Sequence, residues 1–395
     1  MRSAALADVG VRVLDCDHRT PLAQLSGHPY IAIPDIQDGR VTWGTTRRIS
    51  DEDLVEWTRR TRPQRGDVIV TRRGRVGDTA ALLDDRPCAI GQNLVILRSD
   101  GRAVHPGYLR WVTRSPAWHS EVARLLNVGA VFSSLNVSDM SKIRLPFPRL
   151  GDQRAIAEVL GALDDKIDAN SDLSRTLNDL AAEYFSQSVQ AAGEGPTYGN
   201  VADVFGGGTP STKTDDYWGG EIRWATPTDV TALQAPYLED TSRHLTSAGL
   251  AACASELHPA GSILMTSRAT IGAFALAGGP TAVNQGFIVV RPKDSQLDMW
   301  LFHEMQSRVS DYLAVANGAT FLELSRGRFK TMPVRWAPED VMRQFGAIAR
   351  PLHERARAAM HESRSLATLR DTLLPELMSG RLTVKDAEHA VEEAL

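Results

Sequence analysis

The feature that most constrains this chain is a long amphipathic stretch near its middle, residues 153–189, in which apolar side chains recur every three or four positions. That spacing predicts a helix about 55 Å long with one apolar seam. The seam consists of Ile156, Leu160, Leu163, Ile167, Leu173, Leu177, Leu180 and Tyr184. A second stretch near the end of the chain has the same spacing, with Val341, Phe345, Ile348, Leu352, Ala359, Leu366, Leu369, Leu373 and Leu377.

The two stretches are copies of each other. A shift of 189 residues superposes Ile156 on Phe345 and Leu177 on Leu366. One such helix alone leaves its seam exposed to water, whereas two similar helices can bury each other. The first helix leads into a second globular segment, from which the second helix must return along the first. We therefore predict an antiparallel pair.

The globular segments that precede the helices also repeat each other. GDVIVTRRGRVGDTAAL in the first segment corresponds to GSILMTSRATIGAFAL in the second. Likewise, IGQNLVILR corresponds to VNQGFIVVR, and VGAVFSSLN to NGATFLELS. The chain is therefore predicted to be a tandem repeat of a domain followed by a helix, each copy about 190 residues long. With one domain at each end of the helix pair, we expect a dumbbell.

These observations predict an α+β fold: two similar α/β domains, separated by two long antiparallel helices that form a coiled-coil spacer, with an internal pseudo-two-fold repeat. The predicted boundaries are residues 1–150 and 195–337 for the domains, 151–194 and 338–380 for the helices, and 381–395 for a tail. Each domain is expected to contain short strands and turns, such as strand, turn and strand over 65–83. Residues 105–126 are predicted to be helical.

Composition limits the class of protein. The three cysteines, Cys16, Cys88 and Cys253, lie far apart and show no metal-binding spacing, so we expect reduced thiols and no metal site. The start of the chain lacks the apolar core of a signal peptide, and no run approaches a membrane span, which predicts a cytoplasmic protein without membrane association.

Charge is unevenly distributed along the chain. Residues 1–150 hold 22 Lys and Arg against 16 Asp and Glu, whereas residues 151–195 hold 3 against 9. A basic domain beside an acidic helix suits a polyanion on one surface and a protein partner on another. The acidic residues of the first helix that we place on its outward side are Asp164, Asp165, Asp168 and Asp172.

Several motifs together resemble one protein family. GGGTPSTKTDDYWGGEIRWATPTDV, SRATIG, NQG, the helix start DQRAIAEVLGALDDKIDAN and the closing LRDTLLPELMSGRLTV are similar to segments of the specificity subunit of type I restriction–modification systems. The resemblance covers about residues 11–384, in the expected order. The first domain departs from it, with CDHRTP in place of Gly-Gly-Thr-Pro-Ser, which indicates a different target.

The resemblance implies two target-recognition domains that each read one half of a bipartite, asymmetric sequence in double-stranded DNA. It also implies that the helices hold two modification (methyltransferase) subunits and that restriction (translocase and endonuclease) subunits join the complex. S-adenosylmethionine, ATP and Mg²⁺ would then be bound by those partners. This chain would bind no cofactor and would be a non-catalytic subunit.

Phosphate contacts need cationic and polar side chains on turns, and base reading needs forked donors. On that basis the DNA-binding candidates in the first domain are Arg47, Arg48, Arg72, Arg73, Arg75, Gln92 and Asn93. In the second domain they are Ser211, Lys213, Ser267, Arg268, Asn284, Gln285, Arg326, Arg328 and Lys330. For each of them, a solvated surface residue is the alternative.

Three other interpretations are weaker. GGGTPSTK resembles a nucleotide-binding phosphate loop, but Thr212 stands where that motif requires glycine before Lys213. A flexible glycine-rich turn is the simpler interpretation. The chain as a whole is alternatively a stand-alone sequence-specific DNA-binding protein without enzymatic partners, or an enzyme acting on nucleic acid itself.

Overall fold

The computed structural model describes residues 2–128, 133–318 and 322–394. The chain folds into two compact units. Unit 1 comprises Met1–Asp168 and Ser363–Leu395, and unit 2 comprises Ala169–Glu362. Both long helices contribute one part to each unit. The predicted domain boundaries, which place each helix outside the domains, remain a prediction.

The elements before the first long helix all belong to unit 1. Its strands are β1 (Arg2–Ala5), β2 (Val11–Asp15), β3 (His28–Ile31), β4 (Ile36–Gln37), β5 (Arg40–Val41), β6 (Arg47–Ile49), β7 (Val68–Thr71), β8 (Thr79–Ala81), β9 (Ala89–Ile90), β10 (Leu94–Ser99), β11 (Asn127–Val128), β12 (Ser133–Ser134) and β13 (Arg144–Phe147). Its helices are α1 (Asp51–Trp57), α2 (Pro106–Val112), α3 (Pro116–Leu125) and α4 (Val137–Met140). The first long helix, α5 (Leu150–Ser188), follows.

The strands of unit 2 are β14 (Gly193–Thr197), β15 (Ala202–Phe205), β16 (Trp218–Ala225), β17 (Tyr237–Leu238), β18 (His244–Leu245), β19 (Ile263–Thr266), β20 (Phe274–Ala277), β21 (Thr281–Val283), β22 (Phe287–Pro292) and β23 (Pro333–Trp336). Its helices are α6 (Tyr198–Val201), α7 (Pro227–Thr231), α8 (Ser247–Ala251), α9 (Asp298–Ser307), α10 (Val309–Val315) and α11 (Arg326–Lys330). The second long helix is α12 (Glu339–Ser379). The predicted tail contains α13 (Val384–Glu392), whose Ala387 and Val391 are buried in unit 1.

The sheets of the two units have the same strand order. Unit 1 has a sheet β2-β10-β7-β8, and unit 2 has β15-β22-β19-β20-β17. Each unit adds a three-stranded sheet, β6-β3-β9 or β18-β16-β21, and a strand pair, β1-β13 or β14-β23. The predicted internal repeat is thus confirmed in the fold. The segments VGAVFSSLN and NGATFLELS fall partly on residues 129–132 and 319–321, which lie outside the described residues.

Matched glycines show why the repeat is preserved locally. Gly77 and Gly272 both have φ of +90°, a region that side chains rarely adopt. A Cβ atom would lie 2.8 Å from Val122 at Gly77 and 2.6 Å from Val309 at Gly272. Glycine therefore allows the turn after β7 or β19 to pack directly against a helix in each unit.

The long helices pack in antiparallel orientation within each unit, as predicted. In unit 1, Ser363 lies against Ile167, and Arg370 bonds to Asp164. In unit 2, the rings of Phe185 and Phe345 are 5.4 Å apart. Residue numbers therefore rise along α5 as they fall along α12.

The predicted seam is correct at the start of α5, half-buried at Leu173 and Leu177, and wrong near the end of the helix. Ile156, Leu160 and Leu163 are buried, but Leu180 is 41% exposed and Tyr184 is 39% exposed. On α12, Ile348 is likewise at the surface. The side chains buried in their place are mostly small or polar: Asn170, Ser174, Ala181 and Phe185 on α5, and Ala349, His353, Ala356 and Ser363 on α12. Hydrophobicity alone misses a seam made of such residues.

The prediction that Asp164 faces outward is also wrong. Its side chain is 1% exposed and contacts three arginines of unit 1. Asp165 is exposed, as expected. Helical periodicity places Asp164 on the polar face of α5. The sequence does not show that arginines from distant segments converge on this residue.

Residues 105–126 form two helices instead of one. Ser115 begins α3 by accepting a hydrogen bond from the Trp118 amide, and Pro116 is its first residue. Proline at this position cannot donate to the preceding turn, which ends α2.

Candidate nucleic-acid interface

Loops from three strands meet at one edge of the large sheet in unit 2. Because β15 and β19 both run antiparallel to β22, the ends of β15 and β19 lie beside the start of β22. We call loop cluster 2 the residues 206–213, 267–271, 284–286 and 322–326. All the predicted DNA-binding residues of the second domain belong to these loops or to α11, which begins at Arg326.

The glycine-rich part of loop cluster 2 is held in place by the loop before β22. A Cβ atom on Gly207 would lie 2.1 Å from the Val283 carbonyl oxygen. The Gly208 amide donates to that same oxygen at 3.0 Å, and the Gly208 carbonyl accepts from Trp224 Nε1 at 3.0 Å. This segment is therefore bonded to its neighbours on both sides, which corrects the interpretation of a flexible turn. A three-residue helical turn, Asp215–Tyr217, follows it, too short for the helix of a phosphate loop.

Side chains extend this bonding to the exposed residues. Thr209 Oγ1 donates to Gln285 Oε1 at 2.6 Å, and Asn284 Oδ1 accepts from the Gly286 amide at 2.8 Å. Arg268 Nη2 lies 3.0 Å from Glu323 Oε2. Gln285 is thus fixed in orientation while it remains exposed, with its amide NH₂ group available to donate.

Unit 1 builds the same arrangement at the matching sheet edge. We call loop cluster 1 the residues 16–27, 72–78, 91–93 and 133–136. The Arg72 amide donates to the Asn93 carbonyl at 2.8 Å, and the Arg72 carbonyl accepts from the Leu135 amide at 3.0 Å. In unit 2 the Ser267 amide donates to the Gly286 carbonyl, and the Ser267 carbonyl accepts from Leu324. These two backbone bonds are the same in both clusters, whereas the first loop is anchored by Gly208 to Val283 in unit 2 and by Gln24 to Arg48 in unit 1.

The first-domain candidates have different environments within loop cluster 1. Arg73 and Gln92 are exposed, and neither side chain has a bonding partner in the described part of the chain. Arg72 is 15% exposed and lies 3.8 Å from Asp15, with its Nε buried and unpaired. Arg75 donates to the Ile33 carbonyl at 2.8 Å and pairs with Asp78.

Arg47 and Arg48 lie on β6 rather than in a turn. Arg47 donates to the Pro21 carbonyl at 3.2 Å, and the Arg48 carbonyl accepts from the Gln24 amide at 2.9 Å. They therefore anchor loop 16–27 of loop cluster 1. Asn93 is only partly exposed and has φ of +70°, so its backbone shapes the turn before β10.

In the second domain Ser211, Lys213, Arg326, Arg328 and Lys330 are exposed. Ser267 is 3% exposed, and its role is the backbone bonding described above. Thr209 and Glu323, which orient Gln285 and Arg268, are not among the predicted DNA-binding residues. The signal for Thr209 was present, because Thr209-Pro210 matches Thr20-Pro21 in the first domain.

One group of possible metal ligands comes together within residues 2–128, 133–318 and 322–394. It consists of Asp15, Cys16 and His18, whose ligand atoms lie within 4.8 Å of one another. Burial, with the charge of Asp15, raises the pKa of the Cys16 thiol to about 11, which disfavours the thiolate that a metal requires. Asp15 already bonds to His18 at 3.0 Å. The donor set is therefore a poor metal site.

A repeated α/β fold with a loop cluster at the same sheet edge in both copies defines a class of tandem-repeat proteins with two equivalent loop surfaces. The chain belongs to the family described as the type I restriction modification DNA specificity domain. The model of that family matches residues 21–179 and 197–338.

Individual relatives agree with this family. The chain is 37% identical over 144 residues to the type I restriction enzyme MjaIX specificity subunit of Methanocaldococcus jannaschii, covering 36% of this chain and 33% of the relative. It is 27% identical over 195 residues to the EcoR124I/EcoR124II specificity subunit of Escherichia coli, covering 46% and 48%. The chain thus spans about a third to a half of the length of these relatives.

The fold is similar to the crystal structure of a type I restriction–modification system S subunit from M. genitalium. The TM-score is 0.59 at 15% identity, over 95% of each chain. In the part of this chain that the structure describes, no helix is both long enough and apolar enough to cross a membrane.

Proposed function

We propose that this chain is the DNA sequence-recognition subunit of a type I restriction–modification complex and that it reads a bipartite, asymmetric target. The observation that carries the proposal is the pair of loop clusters, which share two backbone bonds but differ in side chains. Arg72 and Asn93 in loop cluster 1 stand where Ser267 and Gly286 stand in loop cluster 2. Matching backbone bonds that carry different side chains suit two half-sites of different sequence.

Within each cluster, exposed cations and oriented amides take different roles. Arg73, Lys213 and Arg328 have no carboxylate partner among the described residues and suit phosphate contacts. Gln285, held by Thr209, suits base reading, because a glutamine amide pairs with adenine through two hydrogen bonds. Ser267 has no side-chain role in this proposal because it is buried.

The chain acts, in this proposal, without catalysis of its own. Two methyltransferase subunits and the restriction subunits bind it, use S-adenosylmethionine, ATP and Mg²⁺, and work with it in the cytoplasm. The relatives' names as specificity subunits of type I restriction enzymes support this role. The exposed acidic residues of α5, such as Asp165 and Asp172, suit a protein partner.

The whole proposal is tested by the methylated adenines of the host genome with and without this gene. We expect a split, asymmetric motif to disappear on deletion. Purification of the chain from its host tests the partners: a methyltransferase subunit is expected to accompany it. A DNA-binding chain without any such partner would favour the stand-alone alternative, and methyl transfer by the isolated chain would contradict a non-catalytic role.

The role of the loop clusters is tested with Arg73→Ala in unit 1. Arg102→Ala is the matched control, because Arg102 follows the far end of β10, at the opposite edge of the same sheet. Loss of one phosphate contact reduces the slope of log K against log salt by about one. We expect that reduction for Arg73→Ala on the cognate duplex and none for Arg102→Ala. Equal effects of both variants would place the interface elsewhere.

A further inference from the structure

The parts of the long helices that face the two globular cores carry polar residues at matched positions, of which Asp164 and His353 are buried and Asp168 and Arg357 are half-buried. The shift of 189 residues that relates α5 to α12 places Asp164 on His353 and Asp168 on Arg357. All four side chains bond to the globular part of their own unit. The charge on the helix is reversed between Asp168 and Arg357, and the carboxylate of Asp164 in unit 1 is replaced by the imidazole of His353 in unit 2.

In unit 1 the helix supplies carboxylates and the rest of the unit supplies arginines. Asp164 Oδ1 accepts from Arg370 Nη1 at 2.6 Å, and Asp164 Oδ2 lies 3.0 Å from Arg40 Nη2. Arg110, on α2 after β10, contacts the same Oδ2 atom. Arg40 also pairs with Asp168.

In unit 2 the helix supplies a histidine and an arginine. The Nε2 atoms of His303 and His353 are 2.9 Å apart, and His353 Nδ1 lies 2.8 Å from the Tyr237 hydroxyl. That hydroxyl donates to Asn178 Oδ1 at 3.0 Å. One turn further on, Arg357 donates to Glu239 at 2.5 Å.

The residues that meet the helix also occupy equivalent places. The Ala81 amide of β8 donates to the Gly39 carbonyl, and the Leu276 amide of β20 donates to the Pro236 carbonyl. Arg40 follows Gly39 and contacts Asp164, and Tyr237 follows Pro236 and contacts His353, the residue that matches Asp164. Similarly, Arg110 and His303 lie on the helices that follow β10 and β22.

We use the term helix junction for the contacts between a long helix and the globular domain of its own unit. We propose that the two helix junctions form a pairing code that decides which helix segment each globular domain accepts. Domain 1 requires the acidic helix face of Asp164 and Asp168, and domain 2 requires the face of His353 and Arg357. With the helix faces exchanged, Arg40 would meet a histidine and an arginine instead of two carboxylates. Arg110, whose side chain is 9% exposed, would lose its carboxylate. A buried guanidinium without a carboxylate is strongly disfavoured, so the mismatch opens the junction. The code does not depend on the proposed DNA-binding role.

The decisive experiment uses four full-length chains in a two-by-two design. The globular segments 1–149 and 196–337 stay in place or exchange places. In each arrangement the helices keep their residues or exchange matched ones through D164H, D168R, A181R, H353D, R357D and R370A. Two chains are matched: the native domain arrangement with native helices, and the exchanged arrangement with exchanged helices. We expect both to be protease-resistant and to unfold cooperatively. The two mismatched chains should be cleaved at least tenfold faster.

Point variants keep the test interpretable if the exchanged chains do not fold. Arg357→Glu should lower the melting temperature, and adding Glu239→Arg should restore most of that loss. Arg355→Glu is the control, since Arg355 is exposed on the same helix. The proposal is overturned if helix exchange is tolerated equally in both arrangements, or if Arg357→Glu behaves like the control and shows no recovery.

Discussion

Replacement of Asp164 by asparagine removes the charge on which three arginines of unit 1 converge. Burial acts to raise the pKa of Asp164, but the charges of Arg110, Arg40 and Arg370 outweigh it and hold that pKa below its usual value. The carboxylate is therefore ionised at neutral pH. Burial also lowers the pKa of Arg110 to about 10, which still leaves it charged. The substitution thus leaves the buried Arg110 guanidinium without its carboxylate partner, whereas Arg40 keeps Asp168 and Arg370 keeps Asp371.

The expected loss of folding free energy follows from the burial of this ion pair. Removal of one partner from a buried ion pair costs about 3–5 kcal/mol. For a unit of about 200 residues, each kcal/mol lowers the melting temperature by about 2–4 °C, which gives a decrease of about 6–20 °C. The assay is thermal unfolding of the full chain, followed by circular dichroism and calorimetry at neutral pH.

Asp165→Asn is the matched control for Asp164→Asn. It makes the same chemical change at the next residue, which is exposed, so its effect should stay within about 0.5 kcal/mol. If Asp164→Asn is no more destabilising than Asp165→Asn, the arginine cluster does not stabilise the helix junction and the reasoning fails.

Three further predictions concern stability. Burial, with the charge of His353 as a smaller cause, lowers the pKa of His303 to about 3, and burial lowers that of His353 to about 4. Since the unfolded chain binds these protons near pH 6.5, stability should fall as the pH drops from about 6.5 towards 4, by up to about 1.4 kcal/mol per histidine and pH unit. Leu366→Asp buries a carboxylate at a side chain that is 1% exposed and should cost several kcal/mol in chemical denaturation. Gly272→Ala forces a side chain into a positive φ against the half-buried Val309 and should cost about 1–3 kcal/mol by the same measurement.

Each of these has a control in the chain. A His303→Asn, His353→Asn double variant should show a flatter pH dependence, and an unchanged slope would exclude this pair as its source. Leu180→Asp alters an exposed position of the predicted seam, so an equal loss of stability would show that Leu366 is not in the packed core. Gly151→Ala adds a Cβ atom in open space on α5 and should be neutral or slightly stabilising.

Local sequence patterns predicted the strands and helices well where apolar residues alone define the pattern. The strands on either side of the TRRGRVG turn and the two long helices follow from apolar spacing, and the structure has them at Val68–Thr71, Thr79–Ala81, Leu150–Ser188 and Glu339–Ser379. The loop candidates were found less completely. Their position in the loops follows from the motifs, but their burial does not, as Ser267 shows.

The sequence by itself determined the tandem repeat, the helix lengths and the family, because these depend on spacing and on motifs that are local in the chain. Only the tertiary structure decided the polar contacts of the helices. Asp164 meets Arg40, Arg110 and Arg370, which lie 54 to 206 residues away from it. Whether a carboxylate faces water or a buried arginine depends on the groups that distant segments bring to it, and a helical period carries no information about those segments.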